Sequence, residues 1–170
     1  PVQAQSTSGL VGYWKFDEGS GTTAADSSGN GNNSTLANGP IWTSGKVGGA
    51  LNFDGANDAV NAGSGSTLDG LGPLTFAVWM KADTLGGGTS ARGRIFDKGV
   101  FAGGWGLYLH NTTANSLEFS CDYTTIDIVR RTAANTVTLG AWQHVVLTWD
   151  GSATAANVKI YLNGQGTTYS

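Results

Sequence analysis

Apolar and polar residues alternate with a period of two along much of the chain. The alternation is cleanest at Leu74–Lys81, where Leu74, Phe76, Val78 and Met80 fall on one side and Thr75, Ala77, Trp79 and Lys81 on the other. That is the signature of a strand with one buried face. Trp142–Trp149 is the strongest aromatic and β-branched run, a composition that favours a pleated sheet. Further strand patterns occur at Ala50–Gly55, Asp58–Gly63, Arg94–Lys98, Trp105–His110, Ser116–Tyr123, Ile126–Arg131 and Val158–Leu162. Gly55-Ala56-Asn57 predicts a hairpin turn between the first two of these, and Asn163-Gly164 predicts another, with Gln165 to Tyr169 as its return. No stretch carries a helical period. The pattern predicts an all-β chain of about ten short strands in a two-sheet antiparallel sandwich.

The N-terminal third breaks the rhythm. Leu10, Gly12, Trp14 and Phe16 alternate with Val11, Tyr13 and Lys15, which predicts a strand over 10–16. It runs directly into Asp17-Glu18-Gly19 and then Asp26-Ser27-Ser28-Gly29-Asn30-Gly31-Asn32. From 17 to 49 the only apolar anchors are Leu36, Ile41, Trp42 and Val47. A connection that long inside a domain must be pinned by something. The candidates are Trp42 folding onto the sheet, short strands around 33–37, or a bound ion. Oxygen-bearing side chains among glycines suit a hard cation such as calcium, and they equally suit an ordinary Gly- and Asn-rich turn.

Composition narrows the possible functions. A chain of 170 residues with 6 Trp has enough apolar surface for one domain with its own core. Charged residues make up only 12 %, so neutral polar groups carry the solubility. The net charge is −3 and the 9 Lys plus Arg are scattered, which argues against nucleic acid and anionic membrane as partners. No apolar run is long enough to cross a bilayer as a helix. The opening Pro1-Val2-Gln3-Ala4-Gln5-Ser6 reads like the end of a secretory signal, so residues 1–9 are expected to be a flexible lead-in and 10–170 the domain. Asn32, Asn33 and Asn111 begin glycosylation sequons, but one cysteine and few charges favour an exported prokaryotic protein.

Catalytic chemistry finds little to work with. Cys121 alternates with Leu117, Phe119 and Tyr123, which places it on a buried face as a small hydrophobe. A single cysteine and two histidines exclude a disulfide scaffold and a Cys/His zinc site. Neither His110 nor His144 lies in a nucleophile-elbow context. Glycoside hydrolysis needs a close pair of carboxyl groups, and the only glutamates are Glu18 and Glu118. The expectation is a protein that is not an enzyme. For sugar binding, an aromatic platform flanked by loops is required. Trp42, Trp105 and Tyr108 are the candidates, because Gly-rich stretches flank them.

Five blocks in order resemble a family. They are Tyr13–Gly21 with Asp26–Asn32, Gly45–Gly55 with Asn57-Asp58, Phe76–Lys81, Gly140–Val145, and Ile160–Gly164. Together they look like a laminin-G-like jelly-roll domain of the concanavalin A-like lectin/glucanase superfamily. The resemblance implies a calcium ion in many members, with Asp26 as a side-chain ligand and Asn30 or Asn32 adding oxygen. It also implies further strands after the Asn163-Gly164 turn, ending in a closing block that residues up to Ser170 do not contain. The domain is therefore expected to be C-terminally incomplete relative to the family. The 10–16 strand is expected to lack a neighbour and to leave an open sheet edge. The leading expectation is a secreted or cell-surface module that binds carbohydrate or an extracellular protein. The alternative is a structural subunit of a filament, sheath or surface layer, completed by strand exchange between copies.

Overall fold

The strands form where alternation is backed by an apolar partner face, and they fail where it is not. The structure is a computed structural model that describes residues 8–68, 72–85, 92–99, 104–110, 114–122 and 127–170. Residues 1–7 of the expected 1–9 lead-in and the Asn111 sequon lie outside the described residues. The chain divides into two compact units, Pro1–Leu71 and Gly72–Ser170.

The first unit is built from short strands: β1 (Thr23–Ala24), β2 (Ser34–Ala37), β3 (Ile41–Ser44), β4 (Gly49–Asn52) and β5 (Ala59–Asn61). β1, β2 and β5 form one antiparallel sheet in that order, and β3 and β4 form a two-stranded hairpin. Ala24, Ser34 and Leu36 are buried, so the alternation of β2 puts its even positions inside. The expected strand at 10–16 does not form. Trp14 makes a single antiparallel bridge to Asp26, and Phe16 takes a left-handed φ of 59° that ends any extended run. The Trp14 indole instead folds back over Gly12, where a side chain would collide with its ring. The turn at Gly55-Ala56-Asn57 exists, with Asp54 Oδ1 accepting from Ala56 N at 2.8 Å. It does not make a hairpin, because β4 pairs with β3 whereas β5 pairs with β2. Sequence adjacency lost here to partners with better matched faces.

The second unit holds β6 (Leu74–Lys81), β7 (Arg92–Lys98), β8 (Trp105–His110), β9 (Ser116–Asp122), β10 (Asp127–Arg131), β11 (Trp142–Trp149), β12 (Lys159–Leu162) and β13 (Gln165–Gly166). A single 3-10 turn, Ala155–Asn157, links β11 to β12. Two four-stranded antiparallel sheets result, ordered β10-β9-β8-β7 and β13-β12-β11-β6. Their inner faces share one core. Leu107, Leu117, Phe119, Cys121 and Ile128 come from the first sheet, and Val145, Leu147, Trp149 and Ile160 from the second. Phe119 and Trp149 meet across it at 5.4 Å between ring centroids, and Phe76 stacks on Phe96 at 3.7 Å. This is the two-sheet sandwich that the alternation predicts, with Cys121 free and buried in it. Burial, the largest influence, and then the Asp122 and Asp127 carboxylates push its thiol pKa up, so it is an inert core thiol.

The last turn follows the prediction closely. Asn163 (φ 50°) and Gly164 (φ 80°) are both left-handed, the type I′ geometry that matches strand twist. The return strand is shorter than expected. The ladder stops at Gly166, Thr167 still donates to Ile160 O, and Tyr169 bridges to Thr132 just past β10. The Tyr169 hydroxyl accepts from Ile160 N at 2.8 Å, and the Arg130 guanidinium lies 3.5 Å from the centroid of its ring.

Candidate functional site

In the Asp26 loop, hydrogen bonds fill the role that sequence reasoning gave to a metal. Asp26 Oδ1 accepts from Tyr13 N at 2.9 Å and Ser28 N at 2.8 Å. Its Oδ2 accepts from Ser28 Oγ at 2.7 Å and Asn32 N at 3.0 Å. Partial burial, the largest single influence, raises its pKa; the four hydrogen bonds together outweigh that and hold it at about 2. Asn30 turns its amide nitrogen to Leu10 O at 2.8 Å, and Asn32 turns its own to Val11 O at 2.7 Å and Thr67 Oγ1 at 2.8 Å. Calcium takes six to eight oxygens. Here both Asp26 oxygens already carry two donors each. Asp26, Asn30 and Asn32 are brought together, with the Asp26 oxygens and both amide nitrogens turned to protein partners. They form a staple that ties the 10–14 segment to the 26–32 loop.

Of the three proposed sugar platforms, Trp42 belongs to the first unit and Trp105 and Tyr108 to the second. Trp42 sits half-buried in β3, and its Nε1 donates to Gly21 O at 2.9 Å, so it pins the long connection from within. Trp105 turns inward and meets Phe96 edge-on at 5.5 Å, which makes it part of the core rather than a platform. Tyr108, three positions along β8, lies on the opposite face with its hydroxyl end folded over Gly106. Alternation on one strand forbids Trp105 and Tyr108 from sharing a surface.

Tyr108 faces Glu118 of β9 across the ladder. Glu118 is 0 % exposed although it points away from the core, and its Oε2 accepts from Arg131 Nε at 2.8 Å and from Arg131 Nη2. His110 Nε2 lies 3.5 Å from the same oxygen. A buried carboxylate paired this way is held by its neighbours and carries no open side toward solvent. The other glutamate, Glu18, accepts from Ala25 N at 2.9 Å in the first unit.

The open surface with recognition chemistry is the outward face of the β6–β11–β12 sheet, which sequence reasoning passed over. Register fixes what stands there. Trp142 lies opposite Lys81, and His144 lies opposite Trp79. Val146 lies between Ala77 and Tyr161, and Thr148 between Thr75 and Lys159. Trp79 is 40 % exposed, and its ring lies 5.1 Å from the His144 ring at an angle of 38°. Trp142, His144 and Tyr161 are half-buried on the same side. None of these outward positions carries a carboxylate. The His144 backbone is held at both ends of the turn, with its N donating to Asn163 Oδ1 at 2.9 Å and its O accepting from Asn163 N at 2.8 Å. The signal was present in the sequence. The alternation that turns Val78 and Val145 to the core places Trp79 and His144 outside.

Adjacent strands lie about 4.8 Å apart, so Trp79, His144, Trp142 and Tyr161 stand as neighbours on one side of the sheet. Its rings offer apolar faces with a negative quadrupole. The C–H face of a sugar ring is flat and weakly positive, so stacking between the two is favourable. The imidazole and the phenol supply polar groups around the rings.

Comparison with known proteins agrees with this architecture. No curated protein matches the chain. A crystal structure of an S-layer domain-containing protein from Clostridium thermocellum superposes with a TM-score of 0.58 at 24% identity, covering 94% of this chain and 71% of that one. The laminin G family model of the concanavalin A-like lectin/glucanases superfamily matches residues 53–168. The chain belongs to that family of concanavalin A-like lectin and glucanase folds.

Proposed function

We propose that the protein is a non-catalytic binding module, secreted or displayed on a cell surface, that holds a glycan on the outward face of β6, β11 and β12. The observation that carries this reading is the exposed ring of Trp79 against His144, with Trp142 and Tyr161 on the same face. Large aromatics grouped on one open sheet face form the kind of contiguous patch that marks a recognition surface. The superfamily supports a binding role, and the S-layer domain-containing protein of similar fold supports a surface setting. A hydrolytic reading gains nothing from the one strand-borne glutamate, which is enclosed by Arg131 and His110.

The test is retention on immobilised or soluble polysaccharide by affinity electrophoresis. Trp79→Ala removes a half-exposed ring, so stability should change by no more than about 1 kcal/mol. Retention should fall at least tenfold. Equal retention of the parent and the Trp79→Ala variant would sink this face as the site.

A second reading, an assembling subunit, is favoured by β6 itself. It is an eight-residue strand at the edge of its sheet, and among the described residues no strand pairs with its outer side. Long edges of this kind template pairing with another chain. Light scattering across a hundredfold range of concentration distinguishes the two readings. A particle mass that stays at 17.4 kDa throughout removes self-assembly.

A further inference from the structure

The aromatic face does not end on open surface. Beyond Ala77 and Val146 the next register pair is Thr75 and Thr148, whose side chains point the same way as Trp79 and His144. Both threonines also line a depression of about 360 Å³ at the start of β6, together with Asp150 and Asn157. From Trp142 to Thr148 along β11 the row is ~20 Å long. A ligand lying on the aromatic rings therefore runs on into this open depression, whose walls mix apolar groups (Pro73, Leu74, Trp149) with the polar ones.

We propose that this hollow is a second subsite of the same ligand, and that the ligand is an uncharged, hydroxyl-rich polysaccharide read over several rings. The inference rests on the glycan-binding reading above and adds both the extra subsite and the chemical class. The polar groups are fixed in advance. Asp150 Oδ1 accepts from Ser152 N at 3.0 Å and Ser152 Oγ at 2.7 Å, while its Oδ2 accepts from Asn157 Nδ2 at 2.7 Å. The loop beneath is held by a close backbone approach. A Cβ on Gly151, which has a φ of 80°, would lie 3.0 Å from Gly72 C and Pro73 N. Asp150 Oδ2, which takes one donor where Oδ1 takes two, can accept a sugar hydroxyl in a charge-assisted bond, and its fixed position leaves little ordering entropy to lose.

Charge favours a neutral ligand over an acidic one. The hydrogen bonds from Ser152, the backbone one foremost, lower the pKa of Asp150, so it is ionised at neutral pH and repels uronates and sulfates. The two lysines of the face are spoken for. Lys81 Nζ lies 3.9 Å from Asp83 Oδ1, and Lys159 Nζ donates to Ala156 O at 2.7 Å.

The experiment measures binding of the full chain to cellohexaose, cellobiose, soluble xyloglucan and polygalacturonate by calorimetry, for the parent and for Trp79→Ala, Thr75→Val and Asn157→Ala. Thr75→Val keeps the shape of the strand and leaves the Asp150 turn untouched, so it reports on the subsite even if Asn157→Ala disturbs the loop. The expected result is binding to a neutral polysaccharide, with the long oligosaccharide at least tenfold tighter than the disaccharide. Thr75→Val and Asn157→Ala should each weaken the long ligand about three- to tenfold, with little change for the short one. If the parent binds and Trp79→Ala abolishes binding while Thr75→Val and Asn157→Ala match the parent, the subsite is overturned and the face survives. If polygalacturonate binds more tightly than the neutral chains, the chemical class is overturned. If the parent binds none of the four, the glycan reading itself falls and the subsite with it.

Discussion

Asp26 shows how one side chain can organise a long irregular segment. Its four accepted hydrogen bonds join Tyr13, Ser28 and Asn32, which are up to nineteen positions apart in sequence, so removing it releases several donors at once. Asp26→Ala should cost about 2–3 kcal/mol in a denaturant titration, since hydrogen bonds to a charged group are worth more than neutral ones. The pH dependence has a definite sign. The folded pKa of about 2 lies below the ordinary carboxylate value. The stabilisation is therefore complete above the unfolded pKa near ~4 and is lost as pH falls toward 2. An Asp26→Ala protein should lose less stability than the parent between pH 5 and pH 2; parallel profiles would contradict the staple. Because protein donors occupy the carboxylate, thermal midpoints in EDTA and in millimolar calcium should coincide. An increase in midpoint with calcium would show a ligand of the folded state and reinstate the ion site.

Among the elements, the strands with strict alternation were legible and the ones held by irregular contacts were not. Trp105–His110 and Trp142–Trp149 start and stop where the sequence pattern does, because each packs one apolar face on the shared core. The segment at 10–16 has the same alternation yet forms only one bridge, since Phe16 turns left-handed and the Trp14 indole folds over Gly12 and donates to Asn32 O at 2.8 Å. Nothing in a period of two encodes those contacts. The candidate site was half legible for a related reason. The outward positions of β6 were readable, but which other outward residues join Trp79 depends on register between strands more than sixty residues apart. The turn after β11 tests the element scale directly. Gly151→Ala places a side chain on a left-handed backbone and against Gly72 and Pro73. It should destabilise the fold by about 1–3 kcal/mol. A thermal midpoint equal to that of the parent would show that the β6 and β11 ends are not held by this approach.

At the scale of the whole molecule, the sparse charge makes a prediction that does not depend on any single residue. Only 12 % of residues are charged and the net charge is −3. A partner drawn in by long-range fields would need a one-signed patch, and affinity would then drop steeply as salt shortens the Debye length from about 14 Å at 50 mM toward 4 Å at 500 mM. The outward face of β6, β11 and β12 has no such patch. It offers rings, a histidine, hydroxyls and two lysines already engaged by Asp83 and a backbone carbonyl. Stacking and short hydrogen bonds act within contact distance, where added salt screens little and apolar burial is if anything strengthened. Affinity for a neutral polysaccharide should therefore change by less than about twofold between 50 and 500 mM sodium chloride. A tenfold loss over that range would mean that charge carries the recognition, and would move the search to acidic ligands and to the lysines at the two ends of the face.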